Sequence, residues 1–236
     1  PRIMMSILVG MMLSSSGVVV QTVFQNPLAD PYIIGIAASA TFGAVIAFVF
    51  NLPDYMYGVI AFFTCLSSTL LIFKMAKKGN KVNVATLLIV GIAVSSFLGA
   101  FTSFAMYLIG EDSFKITMWM MGYLGNATWN RVIFLAIPLV FSVSYFYLKR
   151  NQLDALLSGD EEAHSLGIDV NRLKVRTLTV AALVVAFSVA FSGMIGFVGL
   201  IVPHTMRMLL GPSNSKLLPS TILAGGFFLL ICDTFG

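Results

Sequence analysis

Residues 149–206 read KRNQLDALLSGDEEAHSLGIDVNRLKVR followed by TLTVAALVVAFSVAFSGMIGFVGLIVPHTM. The first part, 149–176, is a polar loop that holds ten of the chain's 24 charged residues, five basic and five acidic. The second part, 177–206, contains no Asp, Glu, Lys or Arg and exceeds the roughly 20 apolar residues that one membrane helix needs. This change of composition predicts membrane-spanning helices joined by a loop that lies outside the bilayer.

The rest of the chain has the same character. Charged residues make up only 10% of the 236 residues, whereas a soluble domain has about 25%. Uncharged runs close to the length of a membrane helix recur from end to end. We therefore predict an all-α, polytopic membrane bundle that forms a single transmembrane domain over 1–236, with spans near 3–25, 33–50, 55–73, 84–109, 131–148, 177–193, 197–210 and 217–236.

The distribution of Lys and Arg gives the orientation of these spans. If the spans alternate, eleven Lys and Arg residues fall on one side and only Arg2, Lys115 and Arg131 fall on the other. The positive-inside rule makes the first side cytoplasmic. The loop 149–176 is then cytoplasmic in a protein of the cell membrane. Because the first span runs inward, we also expect the chain to be part of a longer protein with a span before Pro1.

The same count favours a break within 177–210. One helix over this whole range would place Arg207 and Lys216 outside. Gly193, Gly196 and Gly199 offer a turn at which the chain can reverse.

Several kinds of chemistry have no residues to support them. The sequence has no phosphate-binding G-x-x-x-x-G-K-[ST] loop, and its two histidines lie in different regions. His204 is therefore interpreted as a structural hydrogen-bonder. Cys65 and Cys232 lie in separate apolar runs and are expected to be buried thiols, so no metal site or cofactor is predicted. The net charge of +4 comes from residues at helix ends and does not indicate nucleic-acid binding.

Two local patterns each allow a structural and a functional interpretation. Small residues recur every four positions at Gly91, Ser95, Gly99 and Ser103, a spacing that lets helices approach closely or that borders a translocation path. In QNPLADP, residues 25–31, two prolines four apart end one helix and open the next. This segment is either a plain turn or a turn in which Asn26 has a function.

Four segments together resemble the signature of the FecCD-type permeases, the membrane subunits of ATP-binding-cassette importers for iron–siderophores, haem and cobalamin. They are PR-x7-G-x6-G-x3-Q-x3-QNPLADPYIIGI from residue 1, MWMMGYLGNATW from 118, LLSGDEEAHSLGI from 156 and GMIGFVGLIVPHTMRMLLGPSNSKLLP from 193. The resemblance covers essentially the whole chain. It implies a ten-helix subunit of which about eight helices are present here.

The resemblance also implies partners. Members of the family work as a homodimer with two cytoplasmic P-loop ATPase subunits and an extracytoplasmic substrate-binding protein. The chain itself is then not an enzyme, because ATP is hydrolysed on the separate subunit.

Site residues carry over from the resemblance by position. Arg2 would dock onto a carboxylate of the binding protein, the alternative being an interfacial anchor. Asn26 and Leu28 would form the cytoplasmic gate. The loop would couple to the ATPase through two short helices that bend at Gly159 and end at Gly167, with an apolar contact face formed by Ala163 and Leu166. The residues assigned to this coupling loop are Leu153, Leu156, Ser158, Gly159, Asp160, Glu161, Ala163, Leu166 and Gly167.

The outer segment 111–130 is rich in Met and aromatic residues. By resemblance it holds a short helix at the mouth of the pore, with Met118 and Met121 as pore-lining candidates beside the 91–103 stripe. The alternative is an interfacial helix with an aromatic belt. In 211–219 this chain has Asn-Ser-Lys where relatives have an Asp-His-Arg-like run, so the resemblance assigns that loop no role.

Two other functions stay open. A secondary transporter or channel without an ATPase would need buried ionisable residues, and Asp233 is the one candidate in the apolar runs. A membrane assembly subunit without a transport role would leave the coupling-like loop unexplained.

Overall fold

The computed structural model describes residues 1–78 and 81–235. Short 3₁₀ turns lie at Pro31–Ile34 and Gly110–Ser113, and the two-residue strands β1 (Lys77–Lys78) and β2 (Lys81–Val82) pair antiparallel. All other regular structure in these residues is helical: α1 (Arg2–Val23), α2 (Ile36–Val49), α3 (Tyr55–Ala76), α4 (Val84–Ile109), α5 (Phe114–Met120), α6 (Trp129–Leu148), α7 (Arg150–Leu157), α8 (Asp160–Ser165), α9 (Val170–Ser192), α10 (Val198–Leu210) and α11 (Asn214–Phe235).

The predicted all-α membrane bundle is confirmed. In the part of the chain that the structure describes, six helices are long and apolar enough to cross a membrane: α1, α3, α4 with its extension to Met120, α6, α9 and α11. The two other predicted spans correspond to α2 and α10, which are apolar but have only 14 and 13 residues. A full crossing takes about 20 residues.

Helix α9 shows how polar and apolar signals set the ends of a span. It begins at Val170, seven residues before the apolar run, because Asp169 accepts a hydrogen bond from the Arg172 backbone N–H at 3.0 Å and so caps the first turn. It ends at Ser192, and Gly193 follows with a φ of 69°. Since α10 starts at Val198, the predicted break in the apolar run is confirmed.

Contacts between Cα atoms divide the chain into two compact units. Unit 1 comprises Pro1–Pro31, Leu124–Val184 and Gly196–Gly236. Its central element is α1, which packs against α11, α10 and α6. A Cβ atom added at Gly10 would collide with the carbonyl oxygen of Gly225, and one at Gly17 would collide with that of Gly199. Small residues therefore let these backbones touch, which is the usual means of helix association in a membrane.

Unit 2 comprises Tyr32–Tyr123 and Val185–Ile195. Within it α2 packs against α3 and α4. The Thr64 hydroxyl on α3 donates to the Ser39 carbonyl on α2 at 2.8 Å. A Cβ atom at Gly43 would lie 2.8 Å from the Cα of Ala61. Here too a small residue and a polar bond between helices bring two apolar helices together.

Several polar side chains are buried in the bundle, whereas many large apolar side chains are exposed. Ser14, Ser15 and Ser16 are fully buried in α1, and each hydroxyl donates to a backbone carbonyl one turn earlier at 2.8–3.2 Å. Large apolar side chains are exposed instead, among them Phe97, Phe101, Phe104 and Tyr107 on α4. Such a surface suits a bilayer as solvent.

Both cysteines were predicted to be buried thiols, and this is correct for Cys65 only. Cys65 is a buried free thiol, and Cys232 is also free. Cys232 is exposed, however, because it lies on the outer surface of α11 near the helix end. The expectation that it would be buried is therefore wrong.

We expect Gly17→Ala to destabilise the full-length protein. The new methyl group meets the Gly199 carbonyl and the Pro203 ring, and overpacking of this kind costs about 1–3 kcal/mol. Gly99→Ala is the matched control, because Gly99 is also inside a helix and nothing lies within 4 Å of the point that its new methyl group would occupy. The thermal midpoint in detergent should fall for Gly17→Ala and stay level or rise for Gly99→Ala. Equal midpoints for the two variants would contradict the close approach of α1 and α10.

Candidate functional site

The polar loop folds into two short helices, as the family resemblance implies. Helix α7 ends at Leu157 and α8 begins at Asp160. Between them Gly159 has a φ of 126° and a ψ of 158°, a backbone conformation that is essentially restricted to glycine. Gly167 has a φ of 79° and its N–H donates to the His164 carbonyl at 2.9 Å, closing the end of α8.

The acidic residues of the loop lie where the sequence places them. Asp160 and Glu161 are in the first turn of α8, where carboxylates favour the positive end of the helix dipole. Ser158 is the C-cap of α7. Asp160 also accepts a 2.6 Å hydrogen bond from the Lys174 ammonium on α9. The bend between the two helices is therefore held by one glycine and one ion pair.

The apolar side chains of the loop do not all face outward. Leu153, Leu156 and Ala163 are fully buried within unit 1, whereas Leu166 is 68% exposed. Leu166 is thus accessible for the predicted contact face, whereas the methyl group of Ala163 is covered by the chain itself. The buried residues pack the loop against unit 1, and Leu166 remains exposed at its surface.

Two sets of hydrogen bonds attach α7 to neighbouring helices. The Gln25 side-chain amide at the end of α1 donates to the Leu156 carbonyl at 2.6 Å. The Asp154 carboxylate accepts 2.7 Å bonds from both the backbone N–H and the side-chain amide of Asn214, and a 3.3 Å bond from the Ser213 hydroxyl. Asp154 therefore caps the first turn of α11 from a different helix.

Sequence reasoning missed Asp154 and Gln25. The partners of Asp154 lie 59 and 60 residues further along the chain, and no spacing in one sequence reveals a pair so far apart. The Pro212-Ser213-Asn214 run did carry a signal, because Ser and Asn favour the position before a helix. In the structure α11 starts at Asn214. The segment 211–219 therefore has a structural role, because α7 is attached there through Asp154.

The Asn-Pro turn is compact, and Asn26 accepts hydrogen bonds within it. The Asn26 side-chain oxygen accepts from the Leu28 backbone N–H at 3.0 Å, and the Asn26 carbonyl accepts from the Ala29 N–H at 3.1 Å. This local bonding forms an Asx-type turn. Leu28 projects from it with 64% of its surface exposed. The turn thus presents an apolar side chain on a rigid support.

At the other end of α1, Arg2 forms a bidentate ion pair. Its guanidinium donates to the two carboxylate oxygens of Asp233 at 2.9–3.1 Å and to the Asp233 carbonyl at 3.2 Å. The Arg2 side chain is still 55% exposed, whereas that of Asp233 is 12% exposed. The start of α1 and the end of α11 are therefore joined, and the acidic candidate for coupled transport is neutralised by this arginine.

The two halves of the small-residue stripe on α4 lie in different environments within unit 2. Gly91 is buried, and the Ser95 hydroxyl donates to its carbonyl at 2.7 Å. A Cβ atom at Gly35 would lie 3.2 Å from that hydroxyl, so this half of the stripe packs on the start of α2. Gly99 has nothing within 4 Å of its Cβ position, and Ser103 is exposed. Packing thus explains the first half of the stripe only.

The outer segment contains the predicted short helix, α5. Met118 and Met121 are 50% and 72% exposed. The end of α5 is anchored within unit 2, because the Tyr123 N–H donates to the Ser192 carbonyl at 2.8 Å. The two methionines therefore lie on a fixed element with their thioethers accessible.

His204, predicted to be a structural hydrogen-bonder, makes no such bond to the described residues through its Nδ1 atom. That atom is buried and has no hydrogen-bond partner among the residues described. The neighbouring Arg207 reaches the Thr22 hydroxyl at 3.4 Å.

Comparison with known proteins gives a consistent result. The cobalamin import system permease protein BtuC of Halobacterium salinarum is 42% identical over 238 residues, covering 99% of this chain and 64% of the relative. The hemin transport system permease protein HmuU of Yersinia pestis is 37% identical over 241 residues, covering 99% of this chain and 72% of the relative. The chain thus spans less than two thirds of the halobacterial protein.

A solved structure described as an inward-facing conformation of a metal-chelate type ABC transporter superposes with a TM-score of 0.91 at 33% identity, over 99% of this chain and 75% of that one. The apolar helices and the permease relatives identify a multi-pass protein of the cell membrane. The model of the FecCD transport family matches residues 1–236. The chain belongs to the FecCD transport family.

Proposed function

We propose that the chain is the membrane-spanning permease of an ATP-binding-cassette importer that moves a metal chelate into the cytoplasm. Relatives of the chain are named for the import of cobalamin or hemin, and others are named for iron chelatin or molybdate. An iron–siderophore, haem or a corrinoid therefore forms the candidate cargo class. ATP is hydrolysed on separate P-loop subunits, and a second copy of the chain completes the pathway.

The observation that carries this proposal is the construction of the polar loop. A loop that only joined two spans would not need two helices, a glycine-restricted bend and three anchoring contacts. Here α7 is bonded to the ends of α1 and α11 through Gln25 and Asp154. A force applied to the loop from the cytoplasm would reach two membrane helices directly. This is the arrangement that coupling to an external ATPase requires.

The other proposed sites use exposed groups. Leu28 would close the cytoplasmic gate by apolar contact with its counterpart in the second copy. Gly99, Ser103, Met118 and Met121 would line the path, where methionine adapts to bulky ligands of different shape.

Arg2 would dock onto a carboxylate of the extracytoplasmic binding protein. The incoming carboxylate would either pair with the Arg2 guanidinium together with Asp233 or displace Asp233 from it.

A secondary transporter or channel is less well supported. Coupling to an ion gradient would call for buried ionisable groups. Among the residues that the structure describes, Lys174 is the one charged side chain in the buried class, and it lies before the apolar run and pairs with Asp160. This distribution favours energy supplied from outside the chain.

Isolation of the full-length protein from its native membrane in mild detergent tests the proposal. We expect a P-loop ATPase to co-purify in about equal amount, identified by mass. Recovery of the chain alone, under conditions that preserve a known ABC complex, would favour the secondary transporter.

We expect Gly159→Val in the full-length protein to weaken coupling without preventing membrane insertion. Valine at a φ of 126° is strained by about 1–3 kcal/mol, so stimulation of the ATPase by the permease should fall roughly tenfold. Gly110→Val is the control, because its φ of 68° imposes comparable strain outside the loop. Loss of stimulation in both variants would argue against a specific role for the bend.

We expect Asp154→Ala to reduce the number of cargo molecules transported per ATP hydrolysed in proteoliposomes. The substitution removes the cap of α11 and leaves the buried Asn214 amide without its acceptor, at a cost of about 0.5–2 kcal/mol. Asn151→Ala on the exposed side of α7 is the control.

Asn214→Ala should have a similar effect, and the double variant Asp154→Ala/Asn214→Ala should be no worse than either single change. Fully additive losses would show that the two residues act independently.

A further inference from the structure

A polar pocket of about 360 Å³ lies within unit 1 where the end of α6 meets the start of α9. This volume falls in the range of roughly 300–1,000 Å³ that is typical of small-ligand sites. Of the residues assigned to the sites above, Leu166 and Gly167 line this pocket. Its polar walls are formed by Tyr145, Lys149, Gln152, Asp169, Arg172 and Arg176.

The charge of the pocket is positive. Asp169 is its one carboxylate and is already used, because it pairs with the Arg172 guanidinium at 2.9 Å and caps α9 through the Arg172 N–H at 3.0 Å. Lys149 and Arg176 have no ion-pair partner in residues 1–78 and 81–235. Two cations therefore face the same space without an anion from this part of the chain.

Tyr145 adds a neutral donor to these cations. Its hydroxyl is buried, and no hydrogen-bond partner for it is found among the described residues. A buried hydroxyl without a partner costs about 1–3 kcal/mol. An oxygen-rich anion in the pocket would accept from this hydroxyl and at the same time neutralise Lys149 and Arg176.

The position of the pocket restricts what kind of anion this is. Helix α6 leaves the apolar region at Leu148, one residue before Lys149, and the uncharged run of α9 begins at Thr177, directly after Arg176. The pocket therefore lies at the boundary between the membrane spans and the polar loop. Its remaining walls include Leu166, Ile168 and Leu173, so apolar surface adjoins the cations.

We propose that this pocket binds the phosphate headgroup of an anionic glycerophospholipid. Lys149, Arg176 and the Tyr145 hydroxyl would contact the phosphate oxygens, and the acyl chains would extend from there along the uncharged parts of α6 and α9, on the membrane side of Lys149 and Arg176. Basic pockets between membrane helices bind anionic headgroups for this reason. The inference depends on the membrane placement of the chain and not on the proposed transport activity.

Native mass spectrometry of the full-length protein in detergent tests this, with titrations of dioleoyl-phosphatidylglycerol and, separately, dioleoyl-phosphatidylcholine. We expect tighter binding of phosphatidylglycerol. Each of Lys149→Gln and Arg176→Gln should raise its Kd about fivefold, and the double variant should bind both lipids alike. Tyr145→Phe should weaken phosphatidylglycerol binding while keeping the ring in place.

Lys216→Gln is the matched control. Lys216 is exposed at the start of α11, outside the pocket, so the same loss of charge should leave the Kd unchanged. Equal affinity of the wild type for the two lipids, or an equal effect of Lys216→Gln, would overturn the proposal. Binding of inorganic phosphate that responds to the pocket variants, without any preference for phosphatidylglycerol, would identify a soluble-anion site and also overturn it.

Discussion

Unit 1 is organised by two places on α1 where only a hydrogen atom fits between backbones. Gly10 faces the Gly225 carbonyl and Gly17 faces the Gly199 carbonyl. In a bilayer the lipid tails are as apolar as the side chains, so burial of apolar area does not hold helices together. The helices of unit 1 are instead held by close packing along a seam on α1. The position of α11, the entry of α10 and the site where α7 attaches all depend on that contact.

Polar bonds at the two ends of this seam fix the direction of its helices. Arg2 at the start of α1 pairs with Asp233 at the end of α11, so the two helices run antiparallel. At the opposite ends, α7 bonds to Gln25 after α1 and to Asn214 at the start of α11. The topology inferred by counting Lys and Arg requires the same arrangement. Two independent kinds of evidence, charge distribution and hydrogen bonding, thus agree for unit 1.

The sequence was most informative where one short segment determines its own structure. Span positions follow from apolar length and the break after Ser192 follows from its glycines, whereas the bend at Gly159 was implied by the family resemblance. It was least informative where a residue depends on a distant partner. The ties made by Asp154 and the burial of Ala163 arise when segments far apart in the chain pack together, and neither leaves a local pattern. The start of α9 was missed for a different reason, since a helix can continue into water beyond the apolar run.

The joined ends of α1 and α11 have a mechanical consequence. Each helix has 22 residues, which corresponds to about 33 Å. Because Arg2 and Asp233 join the pair at one end and α7 joins it at the other, the two helices are held together at both ends. A tilt imposed through α7 then appears at the far membrane surface as a displacement proportional to that length. Under the proposed function, a movement of the loop would cross the bilayer as a tilt of these two helices.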